Sequence, residues 1–233
     1  MTDLPLCDKG RKKEESEMEP KINEYEEVRD QIMDGDVILF EGAGFLSAIL
    51  HWRSRPREFP VRKYLLHALV STIVKAAAGS KYSHAGLAAW WNKRLMVLEA
   101  IGDGVIANPL RRSEERFKAK MYWFTCEGIC SKDREWMMIK AQEELGKPYG
   151  FGKAILYLIC ILFKIDVDKR DGLRKAKSIY CSEYVARVYN AVHKDLKKGR
   201  TDQFMSPEDI SESKLLTNKG RLKMPLTDRH LPS

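Results

Sequence analysis

Residues Ser178-Ile179-Tyr180-Cys181-Ser182-Glu183-Tyr184-Val185 set a cysteine at the head of an apolar stripe. Val185, Val188 and Val192 follow Cys181 at i+4, i+7 and i+11, which places all four on one helix face. The basic, loop-like run Asp171 to Lys177 precedes the stretch. Ser178 is the expected N-cap, leaving Cys181 in a first turn whose backbone N–H groups have no intrahelical partners. The helix dipole favours a thiolate in that position. A free cysteine is often a small buried hydrophobe instead. A base elsewhere in the chain decides between the two readings.

Two upstream residues are out of character with their surroundings. Lys81 to Trp91 reads as a strand rich in small residues, with His84 set among Ser, Ala, Gly and Leu. Small residues in a strand let another backbone or a substrate come close. Asn92-Lys93 reads as a hairpin turn into Leu95 to Ile101, where Glu99 interrupts an apolar run. A buried carboxylate needs a partner. If the two strands pair through that turn, His84 becomes the neighbour Glu99 lacks. Each residue alone also reads as structural, His84 as a satisfied core histidine and Glu99 as an edge residue. Cysteine, histidine and glutamate together form the pattern of an activated thiol. The imidazole takes the thiol proton, the carboxylate orients the ring, and the thiolate attacks a carbonyl.

Around this trio the chain reads as one ordered domain over 31–212. A charged, flexible tail is expected at 1–30, turning helical from Asn23, and a polar tail at 213–233. Asp34-Gly35-Asp36 is a turn into the buried strand Val37-Ile38-Leu39-Phe40. Helices are expected at Phe45 to Trp52 and Arg62 to Ala78, and further strands from Val105 and over Ala119 to Cys126. Another helix is expected at Lys132 to Leu145, with Trp136, Met137, Ala141 and Leu145 on one face. Ser206-Pro207-Glu208-Asp209-Ile210 reads as a capped helix start. The apolar segment Ala154 to Phe163 is too short to span a bilayer and reads as a buried or interfacial helix. Hairpins beside helices make the expected class α+β, with an antiparallel sheet packed on the cysteine helix.

Composition narrows the function classes. A chain of 233 residues with 44% hydrophobic and 32% charged residues is globular in character. Its five cysteines fall at irregular spacing and do not make a disulfide framework. Met1 to Gly10 lacks the basic start and apolar run of a signal peptide, so a reducing, cytoplasmic setting is expected. The net charge of +8 is concentrated in Arg53 to Lys63, Lys164 to Lys177 and Lys194 to Arg200, each beside an apolar stretch. That arrangement suits peripheral contact with an anionic membrane, or simply a solvated surface. No nucleic-acid module is present, and a nucleic-acid partner is not expected. No cofactor is expected either. Gly42-Ala43-Gly44 is not a phosphate-binding loop, and Cys126 with Cys130 lacks the second ligand pair of a zinc site.

Several segments together resemble one family. Asp34 to Phe40, Tyr82-Ser83-His84-Ala85-Gly86-Leu87, Val97-Leu98-Glu99-Ala100 and Tyr180 to Val185 are similar to the YiiX-like group of NlpC-type, papain-like cysteine hydrolases. That group is circularly permuted, so the histidine strand precedes the nucleophile helix, as in the order His84, Glu99, Cys181 here. Gly146-Lys147-Pro148-Tyr149 and Ser206 to Ile210 resemble its flanking segments, and the likeness spans about 33–212. The resemblance implies a permuted papain-like fold with Cys181 as nucleophile, His84 as base and Glu99 as the residue orienting it. It also implies Tyr149 as a pocket-lining or oxyanion residue, with Ser182 and the Cys181 N–H beside it. Gly150-Phe151 stands where an acidic residue is expected, and the 62–78 insert is longer than such proteins need.

The first functional expectation is therefore cleavage of an amide in a small peptide or amino-acid conjugate. A second reading keeps the same thiol but acts on lipid acyl chains at a membrane. It is motivated by the apolar segment, the 62–78 helix and the basic clusters. The third is a binding module on the same fold without catalysis.

Overall fold

The computed structural model describes residues 21–41, 81–117, 119–150 and 178–225. The helices expected at 45–52 and 62–78 and the apolar segment at 151–165 lie outside these residues. A seven-stranded sheet organises the described part. Its strands are β1 (Ile22–Glu24), β2 (Val37–Glu41), β3 (His84–Trp91), β4 (Arg94–Ile101), β5 (Gly104–Pro109), β6 (Lys120–Thr125) and β7 (Thr217–Lys223). Their spatial order is β1-β7-β6-β2-β3-β4-β5. Every pairing is antiparallel except that of β1 with β7. Among the described residues five α-helices accompany the sheet: α1 (Tyr25–Val28), α2 (Leu110–Phe117), α3 (Ser131–Glu143), α4 (Cys181–Asn190) and α5 (Pro207–Ser211). Architecture and class are the α+β arrangement expected from the hairpins and the cysteine helix.

The continuous apolar run of β2 is explained by burial on both faces. Val37 and Leu39 join the layer that holds Met137 of α3 and Tyr184, Val185 and Tyr189 of α4. Ile38 and Phe40, one residue out of phase, join a second layer with Tyr25, Val28, Leu110 and Leu222. The helices of the first layer carry apolar stripes that match. In α4 this stripe is Cys181, Val185 and Val188, continued by Val192 just past the helix end, all buried as their spacing requires. In α3 the buried residues are Arg134, Met137, Met138 and Ala141, whereas Trp136 is 47% exposed and does not share the expected face.

Both expected tails contribute to the sheet. Ile22–Glu24 lies parallel to Arg221–Lys223, and β7 in turn pairs with β6. The polar sequence of β7 hid it, because only Gly220 and Leu222 in that strand are buried. At Gly220 a side chain is excluded, since a Cβ would lie 2.3 Å from the Lys21 carbonyl oxygen.

The hairpin that carries His84 and Glu99 forms as the sequence implies. Asn92 and Lys93 take φ values of 47° and 63°, the left-handed pair that a two-residue type I′ turn requires. The β3–β4 register runs from Trp91↔Arg94 to Leu87↔Leu98. One polar cluster anchors the other end of β2. Asp36 is fully buried and accepts hydrogen bonds from Trp123 Nε1 (2.7 Å), Thr125 Oγ1 (2.8 Å) and Met33 N (3.1 Å). Its ion pair with Arg134 Nη1 spans 3.0 Å, tying β2, β6 and α3 together. Removing one partner of such a buried pair leaves an uncompensated charge. Asp36→Ala is therefore expected to destabilise the fold by about 3–5 kcal/mol, read as a lower midpoint of urea unfolding at unchanged slope.

Candidate active site

Continuing the β3–β4 register puts Glu99 opposite Gly86, with His84 two residues further along the same face. The two side chains thus meet diagonally, across a position that has no side chain of its own. A Cβ on Gly86 would lie 2.5 Å from Val97 Cγ1 and 3.3 Å from Glu99 Cβ. Glycine at 86 is what lets β4 come close and leaves a path between imidazole and carboxylate. His84 Nε2 and Glu99 Oε2 are 2.7 Å apart, and both residues are buried. The His84 ring is held between aromatic neighbours, with centroids 4.4 Å from Phe117 and 5.3 Å from Phe40.

The second carboxylate oxygen is also occupied. Glu99 Oε1 accepts from Ser113 Oγ at 2.6 Å and from Asn108 Nδ2 at 2.8 Å. Sequence reasoning named neither residue. Asn108 carried a usable signal, because Glu99 pairs with Ile106 in β5 and Asn108 is two residues on, along the same face. Ser113 carried none. It reaches Glu99 only because α2 folds back over the sheet, a matter of packing rather than of pattern.

Cys181 is the first residue of α4, and its cap is Tyr180 rather than the expected Ser178. Ser178 is two residues too early, in the segment where Ile179 makes a parallel bridge to Tyr149. The thiol hydrogen-bonds with His84, and the backbone N–H groups of Ala85 and Ser182 also donate to its sulfur. With Nε2 committed to Glu99, Nδ1 is the ring nitrogen left for the thiol. The structure thus brings His84 and Glu99 of one hairpin together with Cys181, which lies far later in the chain.

Charge in this cluster is set by the partners, working against burial. Burial pushes the Cys181 thiol up, but the His84 charge, the hydrogen bond to it and the two backbone donors bring it below its ordinary value. Burial pulls His84 down, yet Cys181 and Glu99 outweigh it and hold the imidazole at about 9. Burial raises Glu99, while His84, Ser113 and Asn108 together keep it below the usual carboxylate range. At neutral pH His84 is therefore an imidazolium and Glu99 a carboxylate, and the contacts to Cys181 favour its thiolate form. Tyr149 is partly buried beside it, and burial together with the Cys181 charge keeps its phenol protonated as a donor. Ser182 reaches the cluster through its backbone. Its hydroxyl donates to the Met205 carbonyl at 2.7 Å, so only its backbone N–H reaches the sulfur.

A family model described as the permuted papain-like amidase enzyme, YaeF/YiiX, C92 family, matches residues 64–218. The chain belongs to this family. Membership supports a cysteine hydrolase in general terms, and the family's permutation fits a histidine strand that precedes the cysteine helix. The fold is also similar to the crystal structure of yiiX from Escherichia coli O157:H7, with a TM-score of 0.53 at 19% identity. That alignment covers 84% of this chain and 99% of the other. No curated protein matches the chain significantly. The yiiX neighbour is described as a metalloprotein. Among the described residues here, no group of three or more His, Cys, Asp or Glu is arranged to hold a metal ion. None of the described helices is long and apolar enough to cross a membrane.

The ionisation of the cluster has a direct readout. Iodoacetamide should alkylate Cys181 at pH values well below the ordinary thiol pKa of about 8.5, since the thiolate is the reactive form. In His84→Ala the sulfur loses its counter-charge, so alkylation at neutral pH should fall and recover only as pH rises. Mass spectrometry of the labelled peptide measures this against Cys126 and Cys130 as internal references.

Proposed function

We propose that this chain is a thiol-dependent amidase acting on a small peptide or amino-acid conjugate. Cys181 is the nucleophile, His84 the general base and acid, and Glu99 the residue that orients and charges the imidazole. The observation that carries this reading is the buried Glu99–His84 pair beside a thiol whose sulfur accepts two backbone N–H groups.

The chemistry follows from those contacts. The Cys181 thiolate attacks the amide carbonyl carbon, forming a C–S bond while the carbonyl electron pair moves to oxygen. The oxyanion is received by the Cys181 N–H at the start of α4 and by the protonated Tyr149 hydroxyl. As the tetrahedral adduct collapses, the C–N bond breaks and the His84 imidazolium gives its proton to the departing amine. A thioester on Cys181 remains. Neutral His84 then takes a proton from water, whose oxygen attacks the thioester. The acid leaves, and the thiolate–imidazolium pair is restored. Throughout, Glu99 stays ionised, because three donors hold its two oxygens.

An acyl-lipid substrate would use the same thiol and the same thioester, but its motivating segments at 62–78 and 151–165 lie outside the described residues. It therefore enters as an outcome of the test. Wild-type protein incubated with peptide, amino-acid amide and phospholipid panels should yield an acyl adduct on Cys181 from the amides, found by peptide mass spectrometry. Cys181→Ala should lose the adduct and turnover while melting as wild type does. Activity retained in that variant overturns the assignment, and an adduct from phospholipid alone moves it to acyl lipids. Glu99→Gln should lower kcat about 10²- to 10⁴-fold with little change in KM.

A further inference from the structure

The second layer of the sheet, away from α4, carries a groove of about 710 Å³ that includes none of Cys181, His84 or Glu99. Among the described residues six cationic side chains line it: Arg29, Lys93, Arg94, Arg111, Arg112 and Arg116. They come from three separate parts of the chain: the segment after α1, the β3–β4 turn, and α2. Glu115 is the one carboxylate among the described residues of the lining. Other acids reach the rim, with Glu26 at 3.5 Å and Asp30 at 3.8 Å from Arg29, and Glu114 near Arg111. Positive charge still predominates, and bringing like charges together costs energy that an anion between them recovers.

The groove is also built rather than loosely decorated. The Arg29 guanidinium lies 5.8 Å from the Tyr25 ring centre and 5.5 Å from that of Trp90, and its Nη2 donates to the Lys93 carbonyl at 3.1 Å. Arg111 Nη2 donates to the Pro225 carbonyl at 3.0 Å. Guanidinia held in this way lose less freedom when they meet a ligand. The floor is apolar, from Leu95, Leu110 and Met224. Arg111 and Arg112 stand in the first turn of α2, where the helix dipole disfavours cations and favours anions.

We infer that this groove binds a multiply charged phosphate-bearing ligand, independently of the thiol chemistry. Five arginines favour phosphate, because their planar forks meet its oxygens in pairs and its two charges answer more than one cation. The volume suits a small phosphorylated molecule or the headgroup of an anionic lipid.

The test uses the full chain, with inorganic pyrophosphate by calorimetry and, separately, phosphatidylcholine vesicles with and without phosphatidic acid by flotation. Arg94→Gln combined with Arg112→Gln removes two exposed cations from different walls of the groove. Lys194→Gln with Lys198→Gln removes the same charge elsewhere. Thermal melting without ligand establishes that each variant folds. Saturable pyrophosphate binding that weakens with salt and falls at least about tenfold in the groove variant alone supports a free phosphate ligand. Flotation only with phosphatidic acid, lost in the groove variant alone, supports a lipid headgroup. Binding of neither probe, or equal loss in both variants, overturns the inference. Neither result depends on Cys181, so failure here leaves the amidase reading standing.

Discussion

Burying Glu99 and His84 against each other is the constraint around which the site is arranged. Neither group tolerates the interior alone, since a lone carboxylate or imidazolium in a low dielectric reverts to its neutral form. Together they stay charged, and their combined field reaches the sulfur that completes the cluster. The requirement propagates outward. Gly86 has to remain bare for β4 to approach. Asn108 and Ser113 have to occupy the far oxygen, or Glu99 would hold an unsatisfied lone pair in the core. Phe117 and Phe40 wall off the ring. The turn at Asn92-Lys93 has to hold the hairpin in register, because a slip of one residue would put His84 and Glu99 on opposite faces.

A second buried charge shows the contrast between a structural ion pair and a chemical one. Asp36 receives four donors from β6, α3 and its own turn, and three of those contacts join it to separate elements. Glu99 is as deeply buried and similarly satisfied, but one of its partners is a titratable ring that in turn faces a thiol. That difference in what the carboxylate hands on, rather than depth or bonding, separates a scaffold residue from an orienting one.

Helix α2 occupies an unusual position between the two regions of charge. Ser113 and Phe117 face the Glu99–His84 pair, while Arg111, Arg112 and Arg116 line the groove, all within eight residues. Serine and phenylalanine at i and i+4 share a face, and the arginines take the remaining ones. One short helix thus closes the polar end of the site and forms a wall of a separate cationic surface.

Much of the site was legible because its signals are local. A histidine and a glutamate out of place in apolar strands, a two-residue turn between them and a cysteine heading an i, i+4, i+7 stripe are properties of short windows. The order of those windows matched one permuted family. The capped start at Ser206 was equally local, and the capping box with Asp209 is present there. What the windows could not hold depended on distant contacts. Two strands with few apolar residues, β1 and β7, became part of the sheet because each is paired by backbone hydrogen bonds, which no side-chain pattern encodes. Ser182 turned to the Met205 carbonyl and Ser113 to Glu99 because neighbours from elsewhere in the chain offered buried partners. Sequence alone thus determined which groups can do chemistry and in what order they occur. Tertiary packing decided which of them meet, since an ionisable group acquires its charge and its reach only from what is buried beside it.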